Sequence, residues 1–138
     1  MRWPLLLLLG PWLVVLLGLT VSYPVYAQEG ISVQDTTITV EFPSAIHFHL
    51  EASGGAPITR AVLEYRLQRR SCAVVSTLAF PEFSAASQVD LTWSLETRRS
   101  GNIPPGTVIS YRWIITDADG RTHVTPEESV MVEDGRFS

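Results

Sequence analysis

The chain contains no lysine and only one cysteine, Cys72, among its 138 residues. A lone cysteine cannot close an internal disulfide, so the fold has to be held by its own core, and Cys72 reads first as a small buried hydrophobe. With arginine as the only strong cation, every cationic site is a guanidinium fork that stays charged throughout the working pH range. The sequence also has no His-Glu-x-x-His, no Gly-x-Ser-x-Gly, no phosphate-binding glycine loop and no cysteine with an evident histidine partner. Those absences remove the recognisable routes to zinc hydrolysis, serine hydrolysis and nucleotide chemistry, and the expectation is a non-enzyme with no cofactor. Nowhere beyond the first residues does the apolar pattern follow a helical period, which excludes an α/β fold.

What is present begins with an export segment. Arg2 and the amino terminus form a short positive region, Leu5 to Val21 is an uncharged run of 17 residues, and Val25-Tyr26-Ala27 offers a peptidase box. The sequence predicts a signal helix over 1–27 with cleavage between Ala27 and Gln28. Pro24 and the uncharged stretch Ser22 to Ala27 favour cleavage, while the length of residues 5–21 leaves a retained membrane anchor as the other reading. Both place the remainder outside the cytoplasm, secreted or membrane-attached through that segment alone. Residues 28–138 form one domain of 111 residues, long enough to bury a core unaided. Nine arginines against 14 acids give it a charge of −5, which argues against nucleic acid or an anionic membrane surface as a partner.

Along this domain apolar and polar residues alternate over short stretches separated by Gly, Pro, Asp and Ser clusters. Ile31 and Val33, then Ile38, Val40 and Phe42, predict a split first strand. Ile46, Phe48 and Leu50 alternate with His47, His49 and Glu51, and Ser53-Gly54-Gly55-Ala56-Pro57 reads as a turn. Ala61, Leu63, Tyr65 and Leu67 predict the next inward row. Val89, Leu91, Trp93 and Leu95 give the clearest strand, and Ile109, Tyr111, Trp113 and Ile115 another. Asp117-Ala118-Asp119-Gly120 predicts a hairpin into 121–125, and Val130 to Val132 a short last strand. About seven strands at this spacing predict an all-β sandwich of immunoglobulin or fibronectin type III kind. Its core is expected to hold Phe48, Leu63, Tyr65, Leu91, Trp93, Tyr111 and Trp113, the two tryptophans facing inward on neighbouring strands.

Candidate chemistry is sparse. His47 and His49 lie two residues apart on one strand face, a spacing able to share a metal ion, with His123 as a third ligand; solvated histidines are the competing reading. Asp117-x-Asp119-Gly120 partly matches a calcium loop but lacks the further oxygen ligands, and a hairpin turn explains it. Phe80 and Phe83 flank Pro81 in an irregular segment, where they would either form an aromatic platform for a sugar or tuck over the core.

The run from Pro104-Pro105-Gly106-Thr107 through Tyr111-Arg112-Trp113-Ile114-Ile115 to Asp117-Ala118-Asp119-Gly120 resembles the late strands of fibronectin type III-like domains. The whole of 28–138, ending in Val132-Glu133-Asp134-Gly135-Arg136-Phe137-Ser138, is similar to the β-sandwich that precedes the zinc-dependent catalytic domain in secreted peptidase MA-like proteins of bacteria such as the Chloroflexus group. The resemblance implies a front domain without catalytic or zinc residues, since the His-Glu-x-x-His helix is not in this sequence. Three functional classes follow: an exported spacer or protein-interaction module with a protein or cell-surface partner, the amino-terminal fragment of a secreted zinc metallopeptidase, and a carbohydrate-binding sandwich.

Overall fold

A computed structural model describes residues 30–68, 75–100 and 103–133. The expected signal helix, its cleavage point at Ala27 and Gln28, and Cys72 lie outside the described residues. Among those described, no helix is long and apolar enough to cross a membrane.

The described chain is almost entirely strand: β1 (Ser32–Glu41), β2 (Ala45–Gln68), β3 (Ser76–Ala79), β4 (Ala86–Glu96), β5 (Val108–Asp117), β6 (Thr122–Val124) and β7 (Glu128–Met131). One helical turn, α1 (Thr97–Ser100), follows β4. All pairings are antiparallel, and all seven strands belong to one sheet continuous through β2.

β2 organises this sheet. Its first half, Ala45 to Ser53, pairs with β1 on one side and β4 on the other. Its second half, from Ile58 to Gln68, pairs with β3 and β5. The segment Ser53 to Pro57, expected as a turn, is instead the bend of a continuous strand, marked by register shifts between Ser53 and Ile58 and between Ile58 and Arg60. The physical reason is partnership: each half has long-range ladders that hold it extended, so the glycines bend the strand without reversing it. Gly54 is required there, since a Cβ would stand 2.9 Å from the carbonyl oxygen of Ala56.

The bend curls the sheet until its two halves face each other. Inward residues from both, including Phe48, Leu50, Leu63, Tyr65, Leu91, Tyr111, Trp113 and Ile115, form one buried cluster. Period-2 alternation produces this directly, because every second side chain along β2, β4 and β5 points to the same interior. β1 is one strand rather than two; a register shift between Val33 and Asp35 interrupts its ladder. The Asp117 to Gly120 hairpin forms as expected, with Gly120 at φ +79° and the Asp117 carboxylate accepting the N–H of Asp119 and of Arg121.

Two expectations about the tryptophans need correction. Trp113 is fully buried, but Trp93 is only half-buried and packs against the rim of the cluster. Strand β4 pairs with β2 alone, so its largest side chain overruns the covered interior while the smaller Val89, Leu91 and Leu95 fit beneath. The two tryptophans are also not on neighbouring strands: Trp93 stands opposite Phe48 and Trp113 opposite Leu63, on the two halves of β2.

Candidate interaction surface

The two outer faces of the curled sheet differ in charge. β1, the first half of β2 and β4 carry Asp35, Glu41, Glu51, Asp90 and Glu96 and no arginine. The second half of β2 and β5 carry Arg60, Arg66 and Arg112 with Glu64, while Asp117 at the end of β5 is buried.

His47 and His49 project from the acidic face, as their spacing predicts. His47 Nδ1 lies 2.7 Å from Ser94 Oγ and its Nε2 3.4 Å from Glu41. His49 lies 3.5 Å from Asp90 and 3.8 Å from Asp35. His123 is not gathered with them: it is on β6, opposite Ile115, in the other half of the sheet. No group of three His, Cys, Asp or Glu side chains able to hold a metal ion occurs among the described residues. Each strand histidine instead has a carboxylate beside it.

His123 lines an open groove of about 570 Å³ between β1 and β6, with Ile31, Val33, Asp35, Thr36 and Thr125. The groove ends where Thr36 donates to Glu128 at 2.5 Å and the Tyr111 hydroxyl donates to the other oxygen of that carboxylate at 2.8 Å. Glu128 therefore ties β1 to β5 and β7 across the open side of the curl. Burial pushes the pKa of Tyr111 up from 10.0, and the bond to Glu128 adds to the rise because it stabilises the neutral phenol.

The opposite outer face carries a feature that no local motif announces. In register, Val62 stands beside Ile114, and Ile114 beside Val124. Phe80 follows Ala79, which is paired with Leu63, and so continues the same row beyond Val62. Phe80, Val62, Ile114 and Val124 thus form an apolar row across four strands, on the face where alternation calls for polar side chains. Phe80 is 57% exposed, Val124 48%, and Leu78 beside the row 52%. Val62, mid-row, is already buried by its neighbours.

Charge borders this row. Glu64 and Arg112 pair at 2.6 Å on one side, and Arg66 pairs with Glu127 at 2.6 Å just beyond. The hydrogen bond from Arg112 is the main reason the Glu64 pKa falls below 4.5, burial opposing it. On the other side Arg60 sets its guanidinium 5.7 Å over the Phe80 ring and makes no ion pair among the described residues. Phe83 packs partly buried against the core, so Phe80 and Phe83 do not share a platform. The row is thus an apolar centre with a charged rim. The sequence does contain its trace: Ile114, an isoleucine between Arg112 and Thr116 in the outward phase of β5.

No protein-family model matches the chain, and no curated protein sequence matches it significantly. Among solved structures it is similar to wild-type OgpA from Akkermansia muciniphila, with a TM-score of 0.53 and 8% identity over 77% of this chain and 28% of that one. It is likewise similar to catalytically inactive OgpA in complex with an O-glycopeptide substrate, at TM-score 0.52 and 9% identity over 77% and 29%. Beta-glucosidase 3B from Thermotoga neapolitana aligns at TM-score 0.46 and 8% identity over 77% and 16%. The chain spans less than a third of the length of OgpA, and at these identities the likeness to OgpA is one of fold.

Proposed function

We propose that this chain is an exported, non-catalytic β-sandwich module of immunoglobulin or fibronectin type III kind, similar to the front domain of peptidase MA-like proteins, and that it works by docking a protein partner. The observation that carries the docking role is the apolar row Phe80, Val62, Ile114 and Val124, exposed at its Phe80 and Val124 ends, with its charged rim. Leaving such residues in water forfeits roughly 25 cal/mol for each Å² of apolar surface a partner would cover. The sandwich assignment is supported by the two facing halves of the curled sheet and by the likeness to OgpA. OgpA also supplies support for module use, since a similar fold there makes up under a third of an enzyme's chain. Export rests on the apolar run 5–21 and the box ending at Ala27.

In-cell photo-crosslinking tests this reading. A photoreactive phenylalanine analogue replacing Leu78 is expected to trap discrete higher-mass adducts outside the cytoplasm, and the same analogue replacing Thr39 on the acidic face is expected to trap none. Equal trapping from both positions, or none from Leu78, would overturn the docking role; retention of the chain in the cytoplasm would overturn export.

A further inference from the structure

We infer that the partner seated on the apolar row is a second copy of this chain, related by a two-fold axis that runs along the row. This rests on the docking role proposed above. The row crosses four strands, about 14 Å from β3 to β6, and two such faces pack like the layers of any aligned pair of sheets, about 10 Å apart.

Charge selects the copy over an unrelated acidic or basic surface. Arg60 and Glu64 lie on β2 two residues to either side of Val62, which is in the row. Rotation about the row leaves each strand over its own counterpart and exchanges the two sides. Arg60 of one copy, which lacks a carboxylate within its own chain among the described residues, therefore comes over Glu64 of the other, twice per dimer. Arg112 comes over Thr116 in the same way. Phe80, Ile114 and Val124 each meet themselves, with Val62 buried beneath them, which is the self-complementarity an isologous interface requires.

The long-range field agrees. On this face Arg60, Arg66 and Arg112 stand against Glu64 and Glu127, whereas the other outer face carries five carboxylates and no arginine. For a chain of negative net charge, two copies repel least when they approach through the basic side. The acidic face has histidine, threonine and serine where this one has its apolar row, so a head-to-tail contact would leave the row uncovered.

The test uses the purified full chain with Cys72→Ser and a single new cysteine. With a short-arm bismaleimide, Val124→Cys is expected to give a species of twice the chain mass, and Thr39→Cys at least about tenfold less. Adding Phe80→Ser, or Arg60→Glu in place of the guanidinium, is expected to weaken the dimer about tenfold, the equivalent of 1.4 kcal/mol. No doubled species from Val124→Cys, equal yields from both cysteines, or persistence in the Phe80→Ser chain would overturn the second copy as partner. The photo-adduct from position 78 separates the two levels: a mass other than twice the chain keeps the docking role and removes the self-association, and no adduct removes both.

Discussion

The rings of Phe48 and Tyr65 meet with centroids 5.7 Å apart, although both belong to the single strand β2 and 17 positions separate them. A straight strand would hold them roughly 55 Å apart. Their contact is therefore the direct consequence of the bend at Ser53 to Pro57, and it closes the curled sheet on its core. Phe48 also meets Tyr111 at 5.4 Å, edge to face, and Trp93 at 5.9 Å, so one side chain joins both halves. Phe48→Ala is expected to cost ~3–5 kcal/mol by urea denaturation, the range for truncating a buried aromatic. A loss under about 1 kcal/mol would mean that the halves do not close on this residue.

The two tryptophans are expected to behave differently. Trp113→Ala removes the largest fully buried side chain and should cost ~3–5 kcal/mol. Trp93→Ala removes a half-buried ring tilted against Phe48 and Tyr65 and should cost roughly 1–2 kcal/mol. The indole Nε1 of Trp113 has no hydrogen-bond partner among the described residues, so Trp113→Phe offsets part of its packing loss by deleting a buried unsatisfied donor. Equal losses for the two alanine variants would contradict the placement of β4 at the rim.

Bending β2 depends on Gly54. A methyl group there meets the Ala56 carbonyl oxygen at 2.9 Å, so Gly54→Ala should destabilise the fold by roughly 1–3 kcal/mol, read as a lowered melting temperature. Gly55→Ala is the comparison, and an equal effect of both would count against the close approach at Gly54.

Acid titration gives a signed test at the rim of the apolar row. The Glu64 pKa is depressed in the fold by Arg112, so its contribution to stability is present above the unfolded value of 4.5 and is lost as pH falls through the lower folded value. Glu64→Gln should flatten the stability profile below pH 4.5 without changing its shape near neutrality. Tyr111 has the opposite sense. Its raised pKa contributes stability that is present below 10.0 and lost as pH rises above it, and Tyr111→Phe should remove that alkaline decline. Profiles identical to those of the unaltered chain would show that neither pair forms in solution.

Much of the fold was legible because one face of each strand is buried, which forces strict alternation on Ile46 to Leu50, Val89 to Leu95 and Ile109 to Trp113. Gly54-Gly55-Ala56-Pro57 misled because turn chemistry is local, while the ladders that keep β2 extended come from β4 and β5, far along the chain. Trp93 misled for a similar reason, since alternation gives the direction of a side chain but not whether a further strand covers it. The apolar row was the least legible part. Val62 and Val124 are unremarkable in their own segments, and they join Ile114 in one row only through the register of three strands. His47 and His49 share a face as their spacing requires, whereas their distance from His123 follows from the topology.

The central claim is that the row from Phe80 to Val124 exists to be covered, and paired substitution tests it most directly. In a chain carrying both Phe80→Ser and Val124→Ser, the melting temperature and the trapping of adducts from position 78 should be measured together. Exposed positions contribute within about 0.5 kcal/mol to folding, so the account predicts an unchanged fold and lost association. A doubly substituted chain that remains folded and still forms the same adducts would contradict it.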